Sequence, residues 1–259
     1  EKRSGGGHDS GWRHHLRSMR INRKKKFAVF DIDGTIFRSS LLIELVEALI
    51  AGGIFPVSAR RQYAREHEAW LDRQGGYDAY IWAVIRAFDR NLKGVAERDF
   101  LRVVRRIAHA HEDRVYRYTR DLVRALKRQG YFLLAISHSP KYIADIFAEH
   151  LGFDKVYGML FELDRKGRFT GARTHLDLIL NKAAVLRRAV EKEDLDLRRS
   201  IGVGDTESDI AFLKLVKRPI CFNPNKILYQ EARRHGWEVV VERKDVIYEL
   251  RNVKMANRH

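Results

Sequence analysis

The side chains in this sequence that could do chemistry are mostly acidic, and they follow short apolar segments. Asp31 comes directly after "FAVF" and Asp33 two positions later, while Asp205 follows "SIGVG" and precedes Asp209 by four positions. Ser137 follows "YFLLAI" in the same way. Because neighbouring carboxylates raise one another's pKa, such a group calls for a cation. A site whose ligands are all oxygen atoms, without His or Cys, favours Mg²⁺.

A lysine and a hydroxyl complete this set in a way that suits a phosphate. Lys182 opens a predicted helix that leads to the "SIGVG" segment, and it can approach the acids together with Ser137. Backbone N–H groups at turns and helix N-termini also bind phosphate oxygens. One aspartate could attack phosphorus and form an aspartyl-phosphate. A second could protonate the leaving oxygen and then activate water.

The elements that must position these residues alternate between strand and helix. Strands are predicted at 27–31, 131–136, 200–204, 218–222 and 237–241, and helices at 116–129, 140–150, 182–193, 208–216 and 225–235. This alternation predicts an α/β fold, a Rossmann-like parallel sheet with helices on both faces. Ligands of such sheets bind beyond the carboxyl ends of the strands, where the candidate residues lie. Residues 155–173 alternate around Lys166-Gly167 and predict a small β-hairpin beside the sheet.

Residues 38–118 carry no strand pattern, and Gly and Pro separate their helical runs. The segment is too long for a loop, so it predicts an all-helical domain inserted into a core made of 19–37 and 119–259. Most of its aromatic residues are expected in the core of that domain. They are Tyr63, Trp70, Tyr77, Tyr80, Trp82 and Phe88.

Composition narrows the class of protein. The formal charge is +16, which favours anionic or phosphorylated partners. The single cysteine, Cys221, excludes a disulfide framework within the chain and favours a reducing, cytoplasmic location. No apolar run approaches the roughly 18–20 residues of a membrane span. Residues 1–18 are Gly-rich and aperiodic, so they are expected to be a disordered extension or a non-native remnant.

Other motifs fail on spacing. "GVGDTE" has Glu207 where a dinucleotide-binding fingerprint needs its third glycine, and "DIDG" lacks the later acids of an EF-hand loop. There is no phosphate-binding P-loop. His109 and His111 are one residue apart in a helical run, so they point to different faces and are not expected to be ligands.

Four motifs, taken in order, resemble those of the haloacid dehalogenase (HAD) phosphohydrolase superfamily. They are "DIDGT" at 31–35, "ISHSP" at 136–140, Lys182 and "GDTESD" at 204–209. The helical insertion resembles its C1 cap. The second and last motifs resemble its phosphoserine-phosphatase-like branch, subfamily IB. The resemblance covers residues 27 to about 241 and implies the HAD core fold with this cap.

The resemblance implies a role for each matching residue. Asp31 is the nucleophile and a Mg²⁺ ligand, and Asp33 is the general acid and base and offers its backbone carbonyl to the metal. Asp205 binds Mg²⁺, and Asp209 supports it directly or through water. Ser137 and Lys182 hold the phosphoryl oxygens, with Gly34 and Thr35 as further phosphate-binding candidates.

These roles imply a Mg²⁺-dependent phosphatase that hydrolyses a phosphomonoester of a small metabolite through an aspartyl-phosphate. Phosphotransfer to another acceptor (as in a mutase), and a polynucleotide or lipid phosphate as substrate, are the alternatives. Nucleic acid is a possible but less favoured partner. In phosphoserine phosphatases an acid nine positions after the nucleophile recognises the substrate's amino group, but here that position is Ser40. His138-Ser139 also replaces their Gly-Gly pair. The resemblance therefore supports phosphatase chemistry more than phosphoserine as the substrate.

Overall fold

The structure of the chain is a computed structural model that describes residues 24–250. An eight-stranded sheet forms its centre, in the order β4-β3-β2-β1-β5-β6-β7-β8. The strands are β1 Lys25–Phe30, β2 Phe132–Pro140, β3 Lys155–Leu163, β4 Phe169–Thr174, β5 Leu195–Gly204, β6 Arg218–Phe222, β7 Glu238–Arg243 and β8 Val246–Leu250. The six inner strands run parallel to one another, and the edge strands β4 and β8 are antiparallel to their neighbours.

The predicted strands are all present, with two differences in extent. β2 continues through the polar residues to Pro140, and β5 begins at Leu195, five residues before the predicted start. The hairpin is not merely beside the sheet, because β3 pairs in parallel with β2 from Leu134 and Lys155 onward. β8 was not predicted: it is short and largely exposed, so it lacks a buried apolar pattern.

Ten α-helices surround this sheet within the described residues. They are α1 Leu41–Ala51, α2 Ala64–Leu71, α3 Tyr77–Leu92, α4 Glu97–Ala110, α5 Arg117–Arg128, α6 Lys141–Leu151, α7 Leu176–Leu180, α8 Lys182–Glu193, α9 Ile210–Leu213 and α10 Lys226–His235. From β1 the chain moves outward through β2 to β3, and later in the opposite direction through β5 to β7. Right-handed connections therefore place α5 and α6 on one face and α8 to α10 on the other.

These observations confirm the predicted α/β fold with a largely parallel sheet. The predicted helices are also present, although Pro140 is the N-cap of α6 and not a residue of its first turn. The short helix α7 was not predicted. None of the helices between residues 24 and 250 combines the length and the apolar character that crossing a bilayer requires. The predictions about residues 1–18 lie outside the described part of the chain.

Helices α1 to α4, together with a 3-10 helix at Val57–Gln62, form a helical insert between β1 and α5. One side of this insert is fixed to the β3–β4 hairpin. The backbone N–H of Gly94 donates to the Phe169 carbonyl at 2.8 Å, and the N–H of Phe169 donates to Val95 at 3.0 Å. Arg173 adds an ion pair with Asp89 at 2.6 Å. The end of α3 and the start of α4 are thus held to the sheet, whereas α2 and the start of α3 lie outside these contacts.

The expectation that most of the aromatic residues of the insert are core residues holds. Tyr63, Tyr80 and Phe88 are 3%, 4% and 1% exposed. Trp70 packs against the core, whereas Trp82 at 54% and Tyr77 at 39% exposed are the exceptions. Tyr77 is the first residue of α3, where no preceding helical turn covers its ring.

Candidate active site

Lys182 lies between two aspartates in the interior of the chain. Its Nζ atom donates to Oδ1 of Asp31 and to Oδ1 of Asp209, each at 2.6 Å. Asp31 comes directly after β1, and Lys182 is the first residue of α8, whose N-cap Asn181 accepts the Ala184 N–H at 3.0 Å. The capped helix start therefore fixes the lysine at the carboxyl end of the central strand.

Asp33 is held by three donors from two different elements. Oδ1 accepts the backbone N–H of Leu41, the first residue of α1, at 2.5 Å. Oδ2 accepts the hydroxyls of Ser137 at 2.8 Å and Ser139 at 2.9 Å. The Ser139 N–H in turn donates to the Ser137 hydroxyl oxygen at 2.9 Å. The orientation of the Asp33 carboxylate is thus set jointly by β2 and by the helical insert.

Asp205, directly after β5, faces the turn that follows Asp33. The Thr35 hydroxyl donates to its Oδ1 at 3.1 Å. Gly34 has a φ of +81°, and a Cβ atom at this position would come within 2.1 Å of Asp205 Oδ2. Only glycine therefore fits at position 34, because a side chain would be strained by the backbone and would also collide with the carboxylate.

Asp209 is fully buried, and its second oxygen is also occupied. Its Oδ2 accepts the backbone N–H groups of Asp205 at 2.9 Å and Thr206 at 3.1 Å. A Cβ atom on Gly204 would lie 2.5 Å from the Asp209 Cβ, so the turn packs directly against this side chain. Asp209 holds both Lys182 and the loop that carries Asp205.

Burial dominates the electrostatics of the site. It raises the pKa of Asp31 to about 7, with Lys182 opposing the shift and Asp209 and Asp33 adding to it. Burial, then the charges of Asp31 and Asp209, raise the pKa of Asp205 well above its ordinary value. Burial also raises the pKa of Asp33 against its three hydrogen bonds. For Lys182, burial lowers the pKa, but Asp209 and Asp31 outweigh it and the net shift is upward.

The donor set fits a hard divalent cation. One carboxylate oxygen each from Asp31, Asp205 and Asp209 lies within 4.8 Å of the others. Burial, and then repulsion between neighbouring acids, raises the pKa values of Asp31 and Asp205, and the single lysine does not offset this. Oxygen donors alone, from crowded carboxylates, are the ligands that Mg²⁺ prefers. The Asp33 side chain lies outside this group and faces Ser137 and Ser139 instead.

The structure brings all eight predicted site residues to one edge of the sheet. Two of them make contacts that their predicted role did not anticipate: the Gly34 N–H donates to the Phe37 carbonyl at 3.0 Å, and the Thr35 hydroxyl donates to Asp205. Ser139 was missed, although its position two residues after Ser137 in an extended strand places both side chains on one face. The Leu41 N–H was also missed, because the turn that follows Asp33 is what brings the start of α1 back to it.

His138 lies between the two serines and is neutral at physiological pH. Burial, with the nearby charge of Lys182, lowers the pKa of its imidazole to about 4. Its buried Nε2 atom has no hydrogen-bond partner among residues 24–250. The second motif therefore contributes two hydroxyls and an uncharged ring to the site.

A family model described as haloacid dehalogenase-like hydrolase matches residues 28–214, which include every site residue above. The chain belongs to this family. The resemblance drawn from the motifs is thereby confirmed, and so is the expectation of a hydrolase.

Individual relatives agree with this assignment. A histidinol-phosphatase of Neisseria meningitidis serogroup C is 24% identical over 226 residues, which cover 83% of this chain and 98% of the relative. A phosphoserine phosphatase of Archaeoglobus fulgidus is 26% identical over 213 residues, 82% of this chain but 56% of the relative. The chain thus spans little more than half the length of that protein.

A solved structure shares the fold. The phospho-aspartyl intermediate analogue of phosphoserine phosphatase superposes with a TM-score of 0.58 at 18% identity, covering 86% of this chain and 96% of that one. At this identity the likeness supports the fold. The phosphatase names of the relatives agree with the expected enzyme class, phosphoric monoester hydrolase.

Proposed function

We propose that this chain is a Mg²⁺-dependent phosphatase that hydrolyses a phosphomonoester of a small metabolite through an aspartyl-phosphate on Asp31. The observation that carries the proposal is the pair of aspartates with different surroundings. Asp31 contacts a buried ammonium group, whereas Asp33 accepts hydrogen bonds from hydroxyls and a backbone N–H. A nucleophile must be ionised, which the Lys182 ammonium favours at Asp31, and a proton-transferring group must be held in one orientation, which the three donors achieve at Asp33.

In the first step, a carboxylate oxygen of Asp31 forms a bond to phosphorus, and the bond from phosphorus to the leaving oxygen breaks. Asp33 donates its proton to that oxygen, so an alcohol departs. In the second step, a water molecule attacks the phosphorus of the aspartyl-phosphate and gives a proton to Asp33. Inorganic phosphate and the original Asp31 carboxylate are the products.

The other residues bind and orient. Lys182 keeps Asp31 in place through its Nζ contact and supplies positive charge for the phosphoryl oxygens. Asp31, Asp205 and Asp209 would hold Mg²⁺, with the Asp33 backbone carbonyl. When bound, the ion neutralises phosphoryl charge and offsets the repulsion between these acids.

The helical insert serves as the cap of this site. It supplies the Leu41 N–H to Asp33, so its position is coupled directly to the general acid. Closure of such a cap excludes bulk water from the reacting groups.

The leaving group is not that of phosphoserine, although three relatives carry that activity in their names. Ser40 offers a hydroxyl where an acid would neutralise an ammonium group. Glu44, one turn further along α1, is occupied: its oxygens contact Arg114 at 2.7 Å and His111 at 3.4 Å. An unpaired ammonium buried there would cost several kcal/mol.

A panel of small phosphate esters tests the proposal. Phosphate release is measured with Mg²⁺ and with EDTA, and products are examined for phosphorylated acceptors. Mg²⁺-dependent release of free phosphate from at least one ester is expected. Transfer to an acceptor without free phosphate would replace hydrolysis by phosphotransfer.

A further inference from the structure

Tyr77 connects the helical insert to the reacting groups. Its hydroxyl faces the Ser40 side chain, and Ser40 precedes Leu41, whose N–H donates to Asp33 at 2.5 Å. Burial of the hydroxyl, followed by the charges of Asp33 and Asp205, raises the pKa of this phenol. The residue as a whole is nevertheless 39% exposed. The hydroxyl end therefore lies beside Ser40 at the start of α1, next to the N–H that binds Asp33, while part of the ring remains open.

The Tyr77 ring is supported from behind by other aromatic rings. Trp70 and Tyr77 form a T-shaped pair, with centroids 5.7 Å apart at 64°, and Tyr80 and Tyr77 form another at 6.3 Å and 83°. Trp70 and Tyr80 stack on each other at 5.7 Å and 20°, and His67 stacks on Tyr80 at 4.7 Å and 24°. The rings of His67, Tyr80 and Trp70 stack face to face, so these stacked faces are not free to bind a cation. Together the rings form a wall behind Tyr77.

The two acids of α1 near this wall are already paired. Glu44 contacts Arg114 and His111, as described above. Glu47, one turn beyond it on α1, pairs with Arg60 at 2.8 Å and accepts the Tyr63 hydroxyl. A leaving group beside Tyr77 therefore meets aromatic surface and hydroxyls, without an uncompensated negative charge from α1.

We infer that Tyr77, supported by Trp70 and Tyr80, selects esters in which an uncharged planar ring lies next to the phosphate. This inference rests on the proposed function, because it places the leaving group between Asp33 and the insert. The oxygen protonated by Asp33 points towards the insert, and the substituent it carries packs against the Tyr77 ring. Ring-on-ring packing adds favourable free energy beyond that of area burial alone.

Benzyl phosphate and n-propyl phosphate make a matched test, because both release a primary alcohol through an oxygen on a methylene group and differ in the ring. The wild-type chain is expected to favour the benzyl ester in kcat/KM. Tyr77→Ala is expected to reduce the benzyl-to-propyl ratio about tenfold, equivalent to about 1.4 kcal/mol of transition-state free energy. Tyr77→Phe keeps the ring and should keep the ratio. Trp82→Ala, which removes a 54% exposed ring outside this cluster, should also keep it.

An equal ratio in the wild type and in Tyr77→Ala, or an equal loss in Trp82→Ala, would overturn the inference. Calorimetric binding of benzylphosphonate and n-propylphosphonate gives a readout without turnover. Tighter binding of the benzyl compound that is lost in Tyr77→Ala supports the inference, even if neither ester is hydrolysed. A failure to hydrolyse either ester would count against the proposed function alone. Equal binding of the two phosphonates would overturn the inference even in an active phosphatase.

Discussion

The Nζ atom of Lys182 lies 2.6 Å from Oδ1 of Asp31, and the two residues are only 3% and 4% exposed. Two further carboxylates, those of Asp205 and Asp209, approach the same point. One ammonium group among three acids, of which Asp31 and Asp209 are buried and Asp205 is partly buried, leaves a negative excess that a divalent cation would balance. This excess is the physical reason for the pH and metal behaviour predicted below.

The first prediction concerns Asp33. Asp33→Asn should lower kcat about 10²–10⁴-fold for an alkyl phosphate, the usual loss when a general acid–base group is removed. The loss in the first step should be smaller for 4-nitrophenyl phosphate, whose leaving group departs without a proton. Rapid mixing should then show a burst of nitrophenolate followed by slow turnover. Equal losses in the first step for both esters would contradict the assignment of Asp33 as the acid.

Metal dependence should separate Asp205 from Asp209. EDTA should remove activity and Mg²⁺ restore it. Asp205→Ala should mainly raise the Mg²⁺ concentration needed for half-maximal rate, because Asp205 lies at the rim of the group. Full activity in the presence of chelator would contradict a site with an oxygen-ligated metal.

Asp209→Ala should instead lower the free energy of unfolding. It removes one of the two carboxylate partners of buried Lys182 and leaves two backbone N–H groups without an acceptor. Breaking a buried ion pair costs about 3–5 kcal/mol. Urea unfolding of Asp209→Ala and of Asp205→Ala compares their free energies of unfolding. Asp209→Asn is the control that removes the charge and keeps the size of the side chain. If Asp205→Ala proves the more destabilising, Asp209 is not the structural member of the group.

The metal-free chain should become less stable as pH rises from about 4 towards 7. Burial raises the pKa of Asp31 to about 7 and that of Asp205 well above its ordinary value. An unfolded aspartate ionises near about 3.9, so across this range the folded state holds more protons than the unfolded state. The free energy of unfolding therefore falls with increasing pH. Thermal unfolding in EDTA at several pH values measures this slope, which Asp31→Asn should flatten and Mg²⁺ should reverse.

Free phosphoserine should be a poor substrate beside the best ester of the panel. Glu44→Gln should barely change its kcat/KM, because Arg114 already pairs with that carboxylate and His111 also contacts it. Steady-state kinetics of the wild type and of this variant provide the comparison. A large loss for phosphoserine in Glu44→Gln, with other esters unaffected, would show that Glu44 binds the ammonium group.

Much of this site is predictable from the sequence because the chemistry lies at the ends of strands. Asp31 and Asp205 directly follow β1 and β5, and parallel pairing of these two strands brings them to one edge whatever the rest of the chain does. The order of the motifs also identifies the family. The local patterns are strong here since the strands are short, apolar and bounded by turns.

The contacts that set Asp33 and the leaving-group side are not predictable in this way. The Leu41 N–H reaches Asp33 only because of the turn that starts at Gly34, and Tyr77 approaches Ser40 across 37 positions of the chain. Such contacts depend on how the helices pack against one another. Helical periodicity predicts on which face of a helix a residue lies, but not which residue it contacts. For the same reason the pattern predicts that most of these aromatic residues lie in the core of the insert, but it does not single out Tyr77 as partly exposed.

The most direct test of the account is to find where the phosphoryl group is bound during turnover. The chain is mixed with Mg²⁺ and its best ester, quenched in acid within the first turnover, reduced with borohydride and digested for mass spectrometry. Because reduction of an aspartyl-phosphate yields homoserine, the account predicts homoserine at position 31, none in Asp31→Asn, and no phosphate release by that variant. Turnover by Asp31→Asn near the wild-type rate, or homoserine at another aspartate, would contradict it.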